Sequence, residues 1–181
     1  MSKLCRLACV ILAAGLVASA SAAIDVSFVP ASTEITTLGG TAAVDIYADI
    51  PEAEAIVGWG LDVLIDNTGI ADMTGVAIGP LFDAALQNPD GDGLAGLVPM
   101  AGNVWGTDIL LATVTFTGYS AGTTGTGLGD TIGDNTEGFA IDPDLGGGFA
   151  TAVYGTGSIT VIPEPMTLSL LGLALLAIRR R

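Results

Sequence analysis

The sequence predicts an all-β fold, an antiparallel β-sandwich or jelly roll of about eight or nine short strands, with an N-terminal signal peptide and a C-terminal hydrophobic helix. Three observations predict it. Apolar residues recur with period two along most of the chain, which is the mark of half-buried strands. Clusters of Gly, Asn, Asp and Pro interrupt that pattern at short intervals. Only Leu81 to Gln87 has a helical pattern between the two ends, and it is barely two turns long.

The N-terminal element is defined by its order of charge, apolarity and small residues. Met1 to Arg6 is short and basic, Leu7 to Val17 is apolar, and Ala18 to Ala23 is a run of Ala and Ser suited to signal peptidase. The apolar run is short of the ~20 residues a membrane span needs. Cys5 and Cys9, the two cysteines of the chain, fall inside this segment. The body that follows is therefore expected to have neither a disulfide nor a thiol nucleophile. The expected organisation is a signal peptide over 1–23, a β-sandwich over 24–162 and a sorting tail over 163–181.

In the body, three strands are the most strongly patterned. Ala42, Val44, Ile46, Ala48 and Ile50 share one face, opposite Asp45, Tyr47 and Asp49. Val57, Trp59, Leu61, Val63 and Ile65 alternate with Gly58, Gly60 and Asp62, and Leu110, Ala112, Val114 and Phe116 alternate with Leu111, Thr113 and Thr115. Further strands are expected at 24–29, 74–78, 98–104, 138–141, 150–154 and 158–162. Turns are expected at Gly39-Gly40, Asp66-Asn67-Thr68-Gly69 and Pro89-Asp90-Gly91-Asp92-Gly93, and along the Gly/Thr-rich run from Gly118 to Gly133.

Charge narrows the function classes. All 19 acidic residues lie between Asp25 and Glu164, and the five basic ones are Lys3, Arg6, Arg179, Arg180 and Arg181. The body has no Lys, Arg or His, so it forms no side-chain ion pair of its own. Such a surface repels phosphate backbones and anionic headgroups, which excludes nucleic acid and favours divalent cations or cationic protein patches. Without His, Lys or Cys, acid/base chemistry would have to come from paired carboxylates, as in glycosidases, and a Ser or Thr nucleophile would lack its usual base. The body is read as non-catalytic, with a carboxylate-based glycosidase the third reading.

Two local patterns could bind ligands. Asn88, Asp90 and Asp92 place oxygen ligands at alternate positions before Gly93, as at the start of a Ca²⁺ loop. Position twelve would be Pro99 rather than a bidentate Glu, so a plain acidic turn competes with a calcium site. Trp59 is in phase with the apolar face of its strand and reads as core. Trp105 follows Gly102-Asn103-Val104 in an expected loop and is the candidate ligand contact.

The C-terminus reads Pro163-Glu164-Pro165, a Leu-rich segment from Met166 to Ile178, then Arg179, Arg180 and Arg181. It resembles a PEP-CTERM sorting signal, which joins these three parts in this order. The resemblance implies an exosortase, a membrane-embedded cysteine transpeptidase, as the processing enzyme. Thirteen helical residues rising about 1.5 Å each reach roughly 20 Å, short for a ~30 Å hydrocarbon core and suited to a temporary span. The arginines stay cytoplasmic by the positive-inside rule, leaving the body outside. Pro163 and Pro165 keep the preceding strip extended. The expected location is therefore exported, transiently anchored in the membrane by the tail, then cell surface or extracellular matrix.

The segments Val57 to Asp66 and Leu110 to Phe116 are similar to two core strands of cohesins: a Gly before an aromatic in a strand ending at Asp, and a Leu-Ala-x-Leu-x-Phe pattern. Both occur in cohesin order. This resemblance implies a sandwich across roughly Val26 to Ile162 that contacts a protein module or a glycan, with a carbohydrate-binding module as the alternative, because cohesins share their sandwich with such modules.

Overall fold

The computed structural model describes residues 23–84, 93–99, 102–130 and 137–162. The expected signal peptide, the expected sorting tail with Pro163, Glu164, Pro165 and Arg179–Arg181, and the candidate calcium ligands Asn88, Asp90 and Asp92 lie outside the described residues. Among the described residues no helix is long and apolar enough to cross a membrane.

Thirteen strands occupy the described residues: β1 (Ile24–Val29), β2 (Ser32–Ile35), β3 (Thr41–Ile50), β4 (Ile56–Ile65), β5 (Ala71–Ile78), β6 (Asp83–Ala84), β7 (Gly93–Leu97), β8 (Gly106–Gly118), β9 (Gly122–Gly129), β10 (Gly138–Ile141), β11 (Phe149–Ala150), β12 (Ala152–Tyr154) and β13 (Thr156–Val161). They form two sheets. The first has the order β12-β1-β3-β8-β5; the second runs β11-β10-β4-β9-β13-β2, with β7 and then β6 added alongside β4. Their inner faces meet in one core that includes Ile24, Val26, Phe28, Ile46, Trp59, Leu61, Leu111, Val114, Phe116, Phe139 and Ile159, all buried. Each such side chain contributes about 1.5–3 kcal/mol of burial, and no disulfide supports them because residues 23–162 hold no cysteine.

The predicted sandwich is present, with several corrections. It is not purely antiparallel: β1 pairs β12 and β2 pairs β13 in parallel. These pairs make one corner. The chain passes from the first sheet to the second at Pro30 between β1 and β2, and again at Gly155 between β12 and β13. Gly155 donates to the Val26 carbonyl at 2.7 Å, and a Cβ there would lie 3.0 Å from the same oxygen. The expected strand 150–154 is thus split, with Ala150 pairing Phe139 in one sheet and Ala152 to Tyr154 pairing β1 in the other.

The Gly/Thr-rich run expected as turn contains β9, a strand held between β4 and β13. Its Thr124, Thr126 and Leu128 are buried while Gly125, Gly127 and Gly129 alternate on the other side, so period two is present but carried by Thr and Gly. The expected helix Leu81–Gln87 instead gives the short strand β6 at Asp83–Ala84, paired to β7; residues 85–87 lie outside the described set. The strand expected at 98–104 sits earlier, as β7, which begins at Gly93 in the expected turn; Val104 keeps only an isolated bridge to Ile56.

Register shifts move two faces. β3 pairs Ile46 with Ala112 and Tyr47 with Leu110, leaving Leu111 as the extra residue of a bulge. Leu111 is consequently buried and Leu110 only half-buried, the reverse of the simple alternation. A second bulge, between Ala140 and Ile141 opposite β4, leaves Ile56 buried and Val57 half-buried.

Candidate functional site

β4 has partners on both sides. Gly58 to Asp62 pair with Leu97 to Gly93 of β7. On the other side β9 and β10 follow one line, because Asp62 faces Gly129 and Gly60 faces Gly138. Since Trp59, Leu61 and Val63 turn into the core, the alternate residues of β4 turn to the outer face. Those residues are Gly58, Gly60, Asp62 and Leu64, and glycine also supplies the outward positions of β9.

This glycine-rich floor is overlaid by apolar side chains from neighbouring strands. Leu97 lies across Gly58, its Cδ2 2.9 Å from where a Cβ would stand, and Phe149 lies across Gly138 with Cδ1 at 3.2 Å. Leu64 covers Gly127 and Gly129, at 3.8 and 3.6 Å. Leu64, Leu97 and Phe149 are each just over half exposed. Apart from Asp62, which is itself buried, the face is low and apolar, which suits contact with another surface rather than enclosure of a small molecule.

Carboxylates cluster beside it. Asp62 and Glu137 are buried. Burial first, then the charges of Asp130, Glu137 and Asp62, push the hydroxyl pKa of half-buried Tyr154 above the ordinary tyrosine range. On the outside of the first sheet Asp25 stands directly opposite Asp49, and the Asp108 N–H donates to Asp49 Oδ1 at 2.8 Å. Among the described residues no group of three or more His, Cys, Asp or Glu is placed to hold a metal ion.

Trp59 is 3 % exposed, as its phase predicted, and meets Phe82 edge-on at 5.8 Å between ring centroids. Trp105, immediately before β8, is 51 % exposed. Beside it the Asn103 amide donates to Asp142 Oδ2 at 2.6 Å. The outer-face leucines were not singled out from the sequence. Their signal is glycine at alternate positions of β4 and β9, which becomes readable only once β9 is recognised as a strand.

No protein-family model matches the sequence, and no curated protein is significantly similar to it. Among solved structures the fold is similar to cohesin domains. The seventh ScaB type I cohesin of Pseudobacteroides cellulosolvens matches with a TM-score of 0.57 at 17% identity, covering 78% of this chain and 93% of that one. The third cohesin ScaC of Acetivibrio cellulolyticus, in complex with the ScaB dockerin, gives 0.53 at 15% identity over 77% and 99%. The third ScaB cohesin of R. flavefaciens, in complex with a group 1 dockerin, gives 0.51 at 19% identity over 80% and 97%. At these identities the likeness establishes the fold: this chain carries a cohesin-like β-sandwich.

Proposed function

We propose that this is a non-catalytic exported protein of the cell surface or extracellular matrix, whose sandwich holds a protein module against the outer face of β4, β7, β9 and β10. The observation that carries the reading is the glycine floor under Leu64, Leu97 and Phe149, an exposed apolar surface kept low by the lack of side chains beneath it. Two of the similar cohesins were solved with dockerins bound, which makes a dockerin-type module the partner class to try first. Export and delivery rest on the signal peptide and on the PEP-CTERM-like tail, which an exosortase would remove; the mass of the mature C-terminus tests that step.

The contact is tested by calorimetric titration of the full chain against a panel of dockerin modules. Leu97→Asp is expected to weaken binding at least about tenfold, whereas Val153→Asp, exposed on the opposite sheet, leaves it unchanged. Binding indifferent to Leu97→Asp would remove the face from the proposal, and a panel without a binder would remove the partner class.

A further inference from the structure

We infer that the end of the sandwich carrying Trp105 is a second binding site, built for a neutral pyranoside chain. The backbone there is fixed by the bridge between Val104 and Ile56, with N···O distances of 2.9 and 3.0 Å. Val104 packs against the core. Because side chains alternate along an extended segment, Asn103 and Trp105 emerge together on the opposite side. The indole is half exposed rather than folded into the core.

The polar groups beside it are held in place. Asp142 is tied by its own N–H to the Ala55 carbonyl at 2.9 Å. Its Oδ1 accepts the Asp144 N–H at 2.9 Å and its Oδ2 accepts Asn103 Nδ2 at 2.6 Å. These contacts, the backbone N–H first, hold its carboxyl below the usual carboxylate range. Two of a carboxylate's roughly four acceptor positions remain for ligand hydroxyls. Leu145, also half exposed, follows in the same turn.

An aromatic face beside a fixed, ionised acceptor matches a sugar ring. The C–H bonds of the pyranose face meet the negative face of the indole, and its hydroxyls donate to the carboxylate. Charge selects among glycans: Asp142 is bonded to Asn103, two residues before the indole, and residues 24–162 hold no cationic side chain, so uronic, sulfated and phosphorylated chains are repelled. Position agrees with this use. The last described strand, β13, ends beside the β8–β9 turn, where the Ile162 N–H donates to the Ile35 carbonyl at 2.8 Å. That is the end opposite Trp105.

The test is tryptophan emission of the full chain in a non-glycosidic detergent, with Trp59→Phe to isolate Trp105. The probes are hexasaccharides of cellulose, xylan, mannan and chitin, hexagalacturonate, and a hexalysine peptide. At least one neutral hexasaccharide is expected to shift the emission saturably. Trp105→Ala, read by calorimetry, is expected to abolish that binding, and Asp142→Ala to weaken it at least about tenfold. Leu97→Asp leaves it intact, so the glycan site and the protein-contact face fail independently. The inference is overturned if no neutral probe binds up to about 10 mM, if Trp105→Ala binds like the parent, or if hexagalacturonate or hexalysine binds in preference.

Discussion

Gly79 shows how narrowly a single residue can constrain this sandwich. A Cβ at this position would run into the Leu110 carbonyl oxygen, with the Leu110 carbonyl carbon at 2.8 Å and the Leu111 oxygen at 3.1 Å. These are backbone atoms of the β8 bulge, and Gly79 itself donates to the Leu111 carbonyl at 2.7 Å, so neither side can retreat cheaply. Gly79→Ala is expected to destabilise the domain by about 1–3 kcal/mol or more, measured by urea unfolding. Gly127→Ala, whose Cβ meets only Leu64 at ordinary contact distance, should stay within about 0.5 kcal/mol. Equal effects would contradict the account. Tyr154 gives a second residue-level expectation. Its folded-state pKa is raised, so the folded state keeps its proton where the unfolded chain has lost it. Stability is therefore unaffected below the ordinary tyrosine pKa and falls as pH rises above about 10. Thermal melts should show that fall, and Tyr154→Phe should flatten it; a fall unchanged in Tyr154→Phe would assign it to other groups. The two tryptophans were legible from phase alone, because Trp59 shares its face with Leu61 and Val63 whereas Trp105 follows a glycine-containing loop. The exchange of Leu110 for Leu111 was not, since it follows from pairing with β3 more than sixty residues away in sequence.

Among elements, β9 is the clearest case of a strand concealed by its composition. Gly is depleted in strands because it costs entropy and offers nothing to pack, and a run with Gly at every second position reads as turn. Here the cost is offset from both sides: Thr124, Thr126 and Leu128 enter the core, and Leu64 lies over the outward glycines. Antiparallel pairing ties Gly122–Gly127 to β13 and Thr126–Gly129 to β4. Native-state hydrogen exchange should therefore find the Thr126 and Gly127 amides protected by orders of magnitude relative to Ala121, exposed in the preceding turn. Loop-like exchange at those two amides would return the segment to the turn that composition alone suggests. The same physics explains why β3 and β4 were legible at nearly full length and β8 over its central part, Leu110 to Phe116. Each presents β-branched or large apolar residues on one face, so local pattern and tertiary burial agree. β6 and β7 were misplaced because a run as short as Leu81–Gln87 fits two turns of helix as well as an extended strand, and only pairing decides.

For the whole molecule, one-sided charge is the dominant long-range term. Residues 24–162 hold all but one of the 19 acidic residues and no basic residue, so each carboxylate adds to the repulsion acting on the others. Asp25 and Asp49 are the sharpest instance, directly opposite on β1 and β3, with Asp108 drawn in by its N–H to Asp49. A like-charge pair in that relation costs roughly 0.2–1 kcal/mol. Asp25→Asn is therefore expected to stabilise the domain by about that amount at low ionic strength. The gain should shrink as NaCl rises towards physiological levels, where the Debye length falls to about 8 Å. The parent protein should itself gain stability along the same salt series, and CaCl₂ should act at lower concentration than NaCl because a divalent ion neutralises paired carboxylates more effectively. Thermal unfolding of the parent and of Asp25→Asn in both salts separates the contributions. A gain in Asp25→Asn that vanishes with salt assigns the destabilisation to that pair. A salt response of the parent undiminished in Asp25→Asn spreads it over the whole acidic surface. A melting temperature unmoved by either salt would mean that the fold holds its carboxylates far enough apart for repulsion not to matter, and the charge argument would fail with it.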